Sequence, residues 1–227
     1  MTDPIDPSPP SAVPAQSLST LQVWITAITK PSVIAYRNLM SPSAHKSNPY
    51  LPYLWVVIAA MITYGITSCV TSSQITSQAR DGGDLASVGG AILSGQLAVI
   101  FAIPSLILTA GVAQEMAQNW GGKGSYRQLV YLVAAFSAPL TIIAGVVGVI
   151  PWLGPILRAG ILLYGFILTL IAVKAVNDFG WVEAFISSLA GNVINILLIG
   201  CATIVVLIIL GPAVGNSFID IISTFEP

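Results

Sequence analysis

Two long apolar runs, Leu129–Ile150 and Ile156–Val176, stand almost back to back, separated only by Pro151-Trp152-Leu153-Gly154-Pro155. Each is long enough to cross a bilayer, since about 20 residues at 1.5 Å apiece span roughly 30 Å of hydrocarbon. A link this short leaves the second run no course but to turn back beside the first. The pair therefore reads as a membrane hairpin. A polar turn, Gly121-Gly122-Lys123-Gly124-Ser125-Tyr126-Arg127-Gln128, leads into it. Three further apolar segments, Tyr53–Thr71, Ala91–Ala113 and Phe185–Leu210, have comparable length and almost no internal charge.

Composition closes off the soluble alternative. Charged residues make up 7% of the chain, where soluble proteins carry about 25%, and hydrophobic residues make up 55%. The fold class that follows is an all-α integral membrane bundle of five transmembrane helices, occupying residues 53–210. Short connections make sequential helices antiparallel neighbours.

Ahead of the bundle, residues 1–17 hold Pro4, Pro7, Pro9, Pro10 and Pro14 and form a flexible Pro-rich tail. Residues 18–52 are an interfacial segment and linker. Leu21, Trp24, Ile25 and Ile28 follow the spacing of an amphipathic helix, and Lys30-Pro31 ends it before Val33, Ile34, Tyr36 and Leu39. Neither piece is long enough to span, so both are expected to lie in the interface, with Trp24 and Tyr36 at headgroup depth and Lys30 and Arg37 facing phosphates, or as an arm packed over the helix bundle, the two being compatible. His45 falls in a linker with no partner for metal or acid–base work. Cys69 and Cys201 lie in apolar segments and read as small core residues. Residues 211–227 form a short tail, with Asp220 in an apolar patch that suggests an interfacial turn.

The distribution of Lys and Arg gives an orientation. With five crossings, one side holds Lys30, Arg37, Lys46, Lys123, Arg127 and Lys174, and the other holds only Arg80 and Arg158. The N-terminus is therefore expected in the cytoplasm and the C-terminus outside, with Trp24, Lys30, Arg37, Lys123, Arg127 and Lys174 as topology and interface anchors.

Polar groups and helix breakers inside the apolar segments are few. Pro104 and Pro139 interrupt the second and third segments and are expected to kink them. Gln96, Asn192 and Asn195 offer amides where water is absent. Two readings are open: a polar ligand or ion path between kinked helices, or hydrogen-bond glue worth roughly 0.6–2 kcal/mol per contact. The small pairs Ala91/Gly95, Ala98/Ala102 and Gly145/Gly148 suit close helix packing, and Gly160 shares a face with Tyr164. No His-Glu-x-x-His, Gly-x-Ser-x-Gly or Walker pattern occurs, because Gly121-Gly122-Lys123-Gly124-Ser125 lacks the required spacing. No catalytic residue, metal site or cofactor is expected, and no basic run points to nucleic acid.

The stretch from Gly121 to Val176 resembles the Yip-domain (Ypt/Rab-interacting-protein-like) family of multi-pass membrane proteins, in its prokaryotic branch. The matching positions are Gly121, Gly122, Gly124, Ser125, Tyr126, Arg127, Gln128, Pro139, Pro151, Gly154, Tyr164, Lys174, Ala175 and Val176, with Lys30-Pro31-Ser32 and Tyr36-Arg37 upstream. Many members carry a glycine before the Lys-Ala-Val ending where this chain has Ile171-Ala172, and the Asp-Leu-Tyr-Gly-Pro motif of the eukaryotic branch is missing. The resemblance implies a five-helix layout with a cytosolic N-terminus in a cytoplasmic membrane. The function expected is a non-catalytic scaffold or accessory subunit, partnered by membrane lipids and other membrane subunits. A small transporter or channel with a polar path near Gln96, Asn192 and Asn195 is the alternative.

Overall fold

The computed structural model describes residues 18–40, 48–80, 96–97, 99–150 and 152–225, with the backbone alone for 71–80, 207 and 210–225. The Pro-rich tail, His45 and Lys46, the start of the second apolar segment at Ala91–Gly95, and Pro151 lie outside the described residues. Among the described residues the chain forms seven helices and no strand: α1 (Thr20–Thr29), α2 (Val33–Leu39), α3 (Leu51–Arg80), α4 (Ala102–Asn119), α5 (Tyr126–Gly148), α6 (Leu153–Asn177) and α7 (Trp181–Phe225).

Four of these are long and apolar enough to cross a membrane: α3 over Leu51–Val70, α5, α6, and α7 over Trp181–Val206. The expected hairpin is present as α5 and α6. Expected to end at Ala113, the second segment instead continues as α4 to Asn119, because Ala113 and Ala117 pack inward while Glu115 and Gln118 turn outward. Pro104 stands in the first turn of α4, where its missing N–H leaves no interior hydrogen bond unmade, and does not kink a mid-helix. Pro139 does lie inside its helix, buried in the middle of α5. The chain beyond Leu210 is not a short tail. It continues α7 through Gly211 and Pro212 to Phe225, a 45-residue helix about 68 Å long.

At the centre stands α5. Of its apolar window 61% is buried, against 6% for that of α7, because α1, α3, α4 and α6 all pack on it. Leu129, Leu132, Ala134, Ala135 and Ala138 have no exposed surface. A second tight contact joins α4 to α7 through a face of small residues, Ala110, Ala113 and Ala117, all fully buried. Gly191 of α7 meets this face so closely that a Cβ there would lie 2.5 Å from the Thr109 carbonyl oxygen. By contrast Cys69 and Cys201 are exposed on α3 and α7, outside the core in which the sequence placed them.

The α1–α2 segment packs on the bundle. Ser19 and Gln22 form a capping box that starts α1, and Ser32 caps α2. Val23 and Ala27 turn inward whereas Leu21 and Ile25 turn outward, so the expected apolar stripe is divided between the core and the outer surface. Trp24 packs edge-on against Trp55 with centroids 6.1 Å apart, its Nε1 buried without a partner.

The pair also enters the bundle at an angle. Ile28 near the end of α1 accepts a hydrogen bond from the Tyr164 hydroxyl, thirteen residues or about 20 Å along α6 from Asn177. Arg37 near the end of α2 pairs with Asp178, just past the end of α6. The two helices thus descend beside the bundle and return. Tyr36 secures the turn between them: its hydroxyl donates to the Ala27 carbonyl at 2.9 Å and its ring stacks on Phe136.

Candidate functional site

Two groups of polar residues lie at opposite ends of the α5–α6 hairpin. The first closes the end that carries the glycine turn. Helix α4 stops with Gly121 at φ 83°, a left-handed conformation that suits glycine, and the Gly122 N–H reaches back to the Ala117 carbonyl at 2.9 Å. The chain then passes directly over the end of α6. A Cβ on Gly122 would stand 2.6 Å from Asn177 Oδ1, and one on Gly124 would stand 2.5 Å from the Val176 carbonyl oxygen. Ser125 and Gln128 form the capping box that opens α5.

Beneath this turn Gln114 and Asn177, both 2% exposed, satisfy each other. Gln114 Nε2 donates to Asn177 Oδ1 at 2.9 Å and to the Gly124 carbonyl at 2.8 Å. Asn177 Nδ2 donates to Gln114 Oε1 at 3.2 Å and to the Val173 carbonyl at 3.1 Å, and its Oδ1 accepts the Gly124 N–H at 3.2 Å. Three elements are tied by two neutral amides with their polar atoms paired.

The same end holds four of the expected topology anchors. Lys123 and Arg127 are exposed on the turn and the first turn of α5. Lys174 donates to the Phe179 carbonyl at 2.7 Å and sits 4.7 Å from the centre of the Trp181 ring, which fixes the corner between α6 and α7. Arg37 has a protein carboxylate as its partner, on Asp178, whose φ of 53° ends α6 in the left-handed conformation. Lys30 is exposed at the turn between α1 and α2.

The second group lies toward the Trp152 end, where the helices separate around a cavity of about 950 Å³. Its floor is α5, from Val133 to Gly148. Its walls come from α3, α4, α6 and α7. The surface is apolar with hydroxyls set into it, among them Thr63, Thr67, Ser105, Ser137, Thr141 and Thr169. Among the described lining residues no carboxylate occurs, and Arg158 is the one cation. Arg158 lies across Gly148 and donates from Nε to the Ala144 carbonyl at 3.1 Å. Trp152, 92% exposed and with φ 63°, stands at the same end.

The expected polar residues divide around this cavity. Asn192 and Asn195 both line it. Asn195 Nδ2 donates to Ser105 Oγ at 2.9 Å, an interhelix bond, while its Oδ1 is buried without a partner. Asn192 donates to the Ser188 carbonyl of its own helix at 2.8 Å. Gln96 is exposed and, among the described residues, reaches the Tyr64 hydroxyl at 3.4 Å. Pro104 and Pro139 do not line the cavity. The sequence reading missed Gln114 and Asn177, because they stand just where apolar segments end and read as loop residues. It also missed Arg158 as more than a snorkelling cation. Ser125-x-x-Gln128 was a legible capping signal.

The family model for the Yip1 domain matches residues 25–210. The chain belongs to the Yip1 family. Its Yip1 domain thus takes in every helix from α1 into α7, and the glycine turn with its amide clasp lies inside the matched region. No curated relative and no solved structure matches the chain.

Proposed function

We propose that this Yip1-domain protein is a non-catalytic membrane scaffold or accessory subunit of a larger membrane assembly. The observation that carries the reading is the chemistry of its buried polar side chains. Those described are Thr109, Gln114, Thr169, Asn177, Ser187 and Ser188, none of them ionisable near neutral pH, and the best-bonded pair among them joins helices. The broad apolar surface of α7 supports the same reading, since a partner's helices and lipid both suit it. Five crossings follow if α4 with the residues before it completes the fifth, and the cation distribution then sets the N-terminus in the cytoplasm and the C-terminus outside a cytoplasmic membrane. The α1–α2 pair packs along the bundle and turns Leu21 and Ile25 outward, an apolar face suited to lipid. Purification of the full chain in mild detergent is expected to bring down stoichiometric membrane partners. A homogeneous preparation of this chain alone would defeat the reading.

A second reading, a small transporter or channel, rests on Asn192 and Asn195 lining one cavity. The double substitution Asn192→Ala with Asn195→Leu is expected to lower solute flux in reconstituted vesicles. Unchanged flux would remove the residues on which that reading depends.

A further inference from the structure

The cavity has the form of a site for a molecule with a long apolar part and an anionic head. It opens between the helices to the outside of the bundle, and its walls are mainly apolar with scattered hydroxyls. A cation path would want acidic groups along its length, whereas here the single charged side chain among the described lining residues is positive and stands at the Trp152 end. Arg158 spends one donor, Nε, on the Ala144 carbonyl. A guanidinium has five N–H donors in a planar fork suited to phosphate oxygens. Deeper in, Asn195 offers an unpartnered buried acceptor, Oδ1, beside the Ser105 hydroxyl. The position of Arg158 in the second turn of a membrane-spanning helix sets it near headgroup depth, and the apolar floor of α5 runs from there toward the bundle centre.

We propose that this cavity binds a membrane lipid, with its anionic phosphate headgroup held by Arg158 and an acyl chain laid along α5 past Ser137. The proposal concerns the cavity alone and stands or falls apart from the scaffold reading, because co-purified partners do not bear on it.

The test is native mass spectrometry of the full chain, purified in detergent and exchanged with dioleoyl phosphatidylglycerol or with dioleoylglycerol, which has the same chains and no charge. The wild-type protein is expected to retain the phosphatidylglycerol roughly tenfold better, the scale of one charge-assisted hydrogen bond. Arg158→Gln is expected to bring the two within about twofold, and Arg158→Lys to keep most of the preference. Ser137→Phe, which projects into the floor, is expected to reduce retention of both lipids. It provides the reading even if Arg158→Gln does not fold. Equal retention by the wild type would overturn the proposal, as would a preference unchanged in Arg158→Gln or full retention by Ser137→Phe. Displacement of the phosphatidylglycerol by millimolar inorganic phosphate would also overturn it, by showing a site for the free anion.

Discussion

One end of the α5–α6 hairpin is closed and the other is open, and the two use polar residues in opposite ways. At the glycine turn, backbones approach so closely that side chains are excluded, and Gln114 and Asn177 pair their amides beneath the chain. Toward Trp152 the helices part around the cavity, and Asn195 keeps an acceptor without a partner. The first arrangement is characteristic of structure, since a fully satisfied buried network fixes a single geometry. The second leaves donors and acceptors available. A single bundle can thus be rigid where its helices are tied and receptive where they are not.

Substitutions that add volume separate the two ends most sharply. Gly124→Ala would press a methyl group on the Val176 carbonyl, which no rotamer change relieves, and is expected to cost about 3 kcal/mol or abolish folding. Gly160→Ala, on α6 with open space around it, is expected to raise stability by roughly 0.5–1 kcal/mol through helix propensity. Thermal midpoints of the two variants in one detergent decide the matter, and similar midpoints would erase the contrast.

Removing amides should follow the same order. Asn177→Ala strands Gln114 and the Gly124 N–H, and is expected to cost about 2 kcal/mol. Asn195→Leu removes only one interhelix bond and is expected to cost about 0.6 kcal/mol. Denaturation of the two variants in mixed micelles measures both, and a larger loss for Asn195→Leu would reverse the assignment of rigid and receptive ends.

Between these lies Tyr36. Burial, with the neighbouring Tyr164 phenol adding to it, holds the Tyr36 phenol above its ordinary range. An unfolded phenol ionises near pH 10 while the buried one stays neutral, so this contribution is complete below about pH 10 and declines as pH rises beyond it. Tyr36→Phe is expected to cost about 1 kcal/mol near neutrality and to flatten the alkaline fall in stability. Parallel pH–stability curves for the two proteins would contradict the buried assignment.

Much of this architecture is legible in the sequence, and the losses have physical reasons. Apolar length and short links give the hairpin directly, because a bilayer fixes how long a span must be. The glycine turn was legible as a turn, although its closeness to Asn177 was not. That contact joins residues 53 or more positions apart, and no local pattern encodes it. Gly211-Pro212 read as a stop, yet a proline removes one hydrogen bond and leaves the others, so α7 continues. The cavity was invisible for a different reason. It is defined by where helices fail to meet, and periodicity reports only the faces that do.

The descent and return of α1 and α2 beside α5 and α6 have a consequence for the shape of the whole. Among the described residues α1 and α2 are fastened to α6 between Tyr164 and Asp178, short of its Trp152 end. Within a bilayer such a body takes more area from one leaflet than from the other.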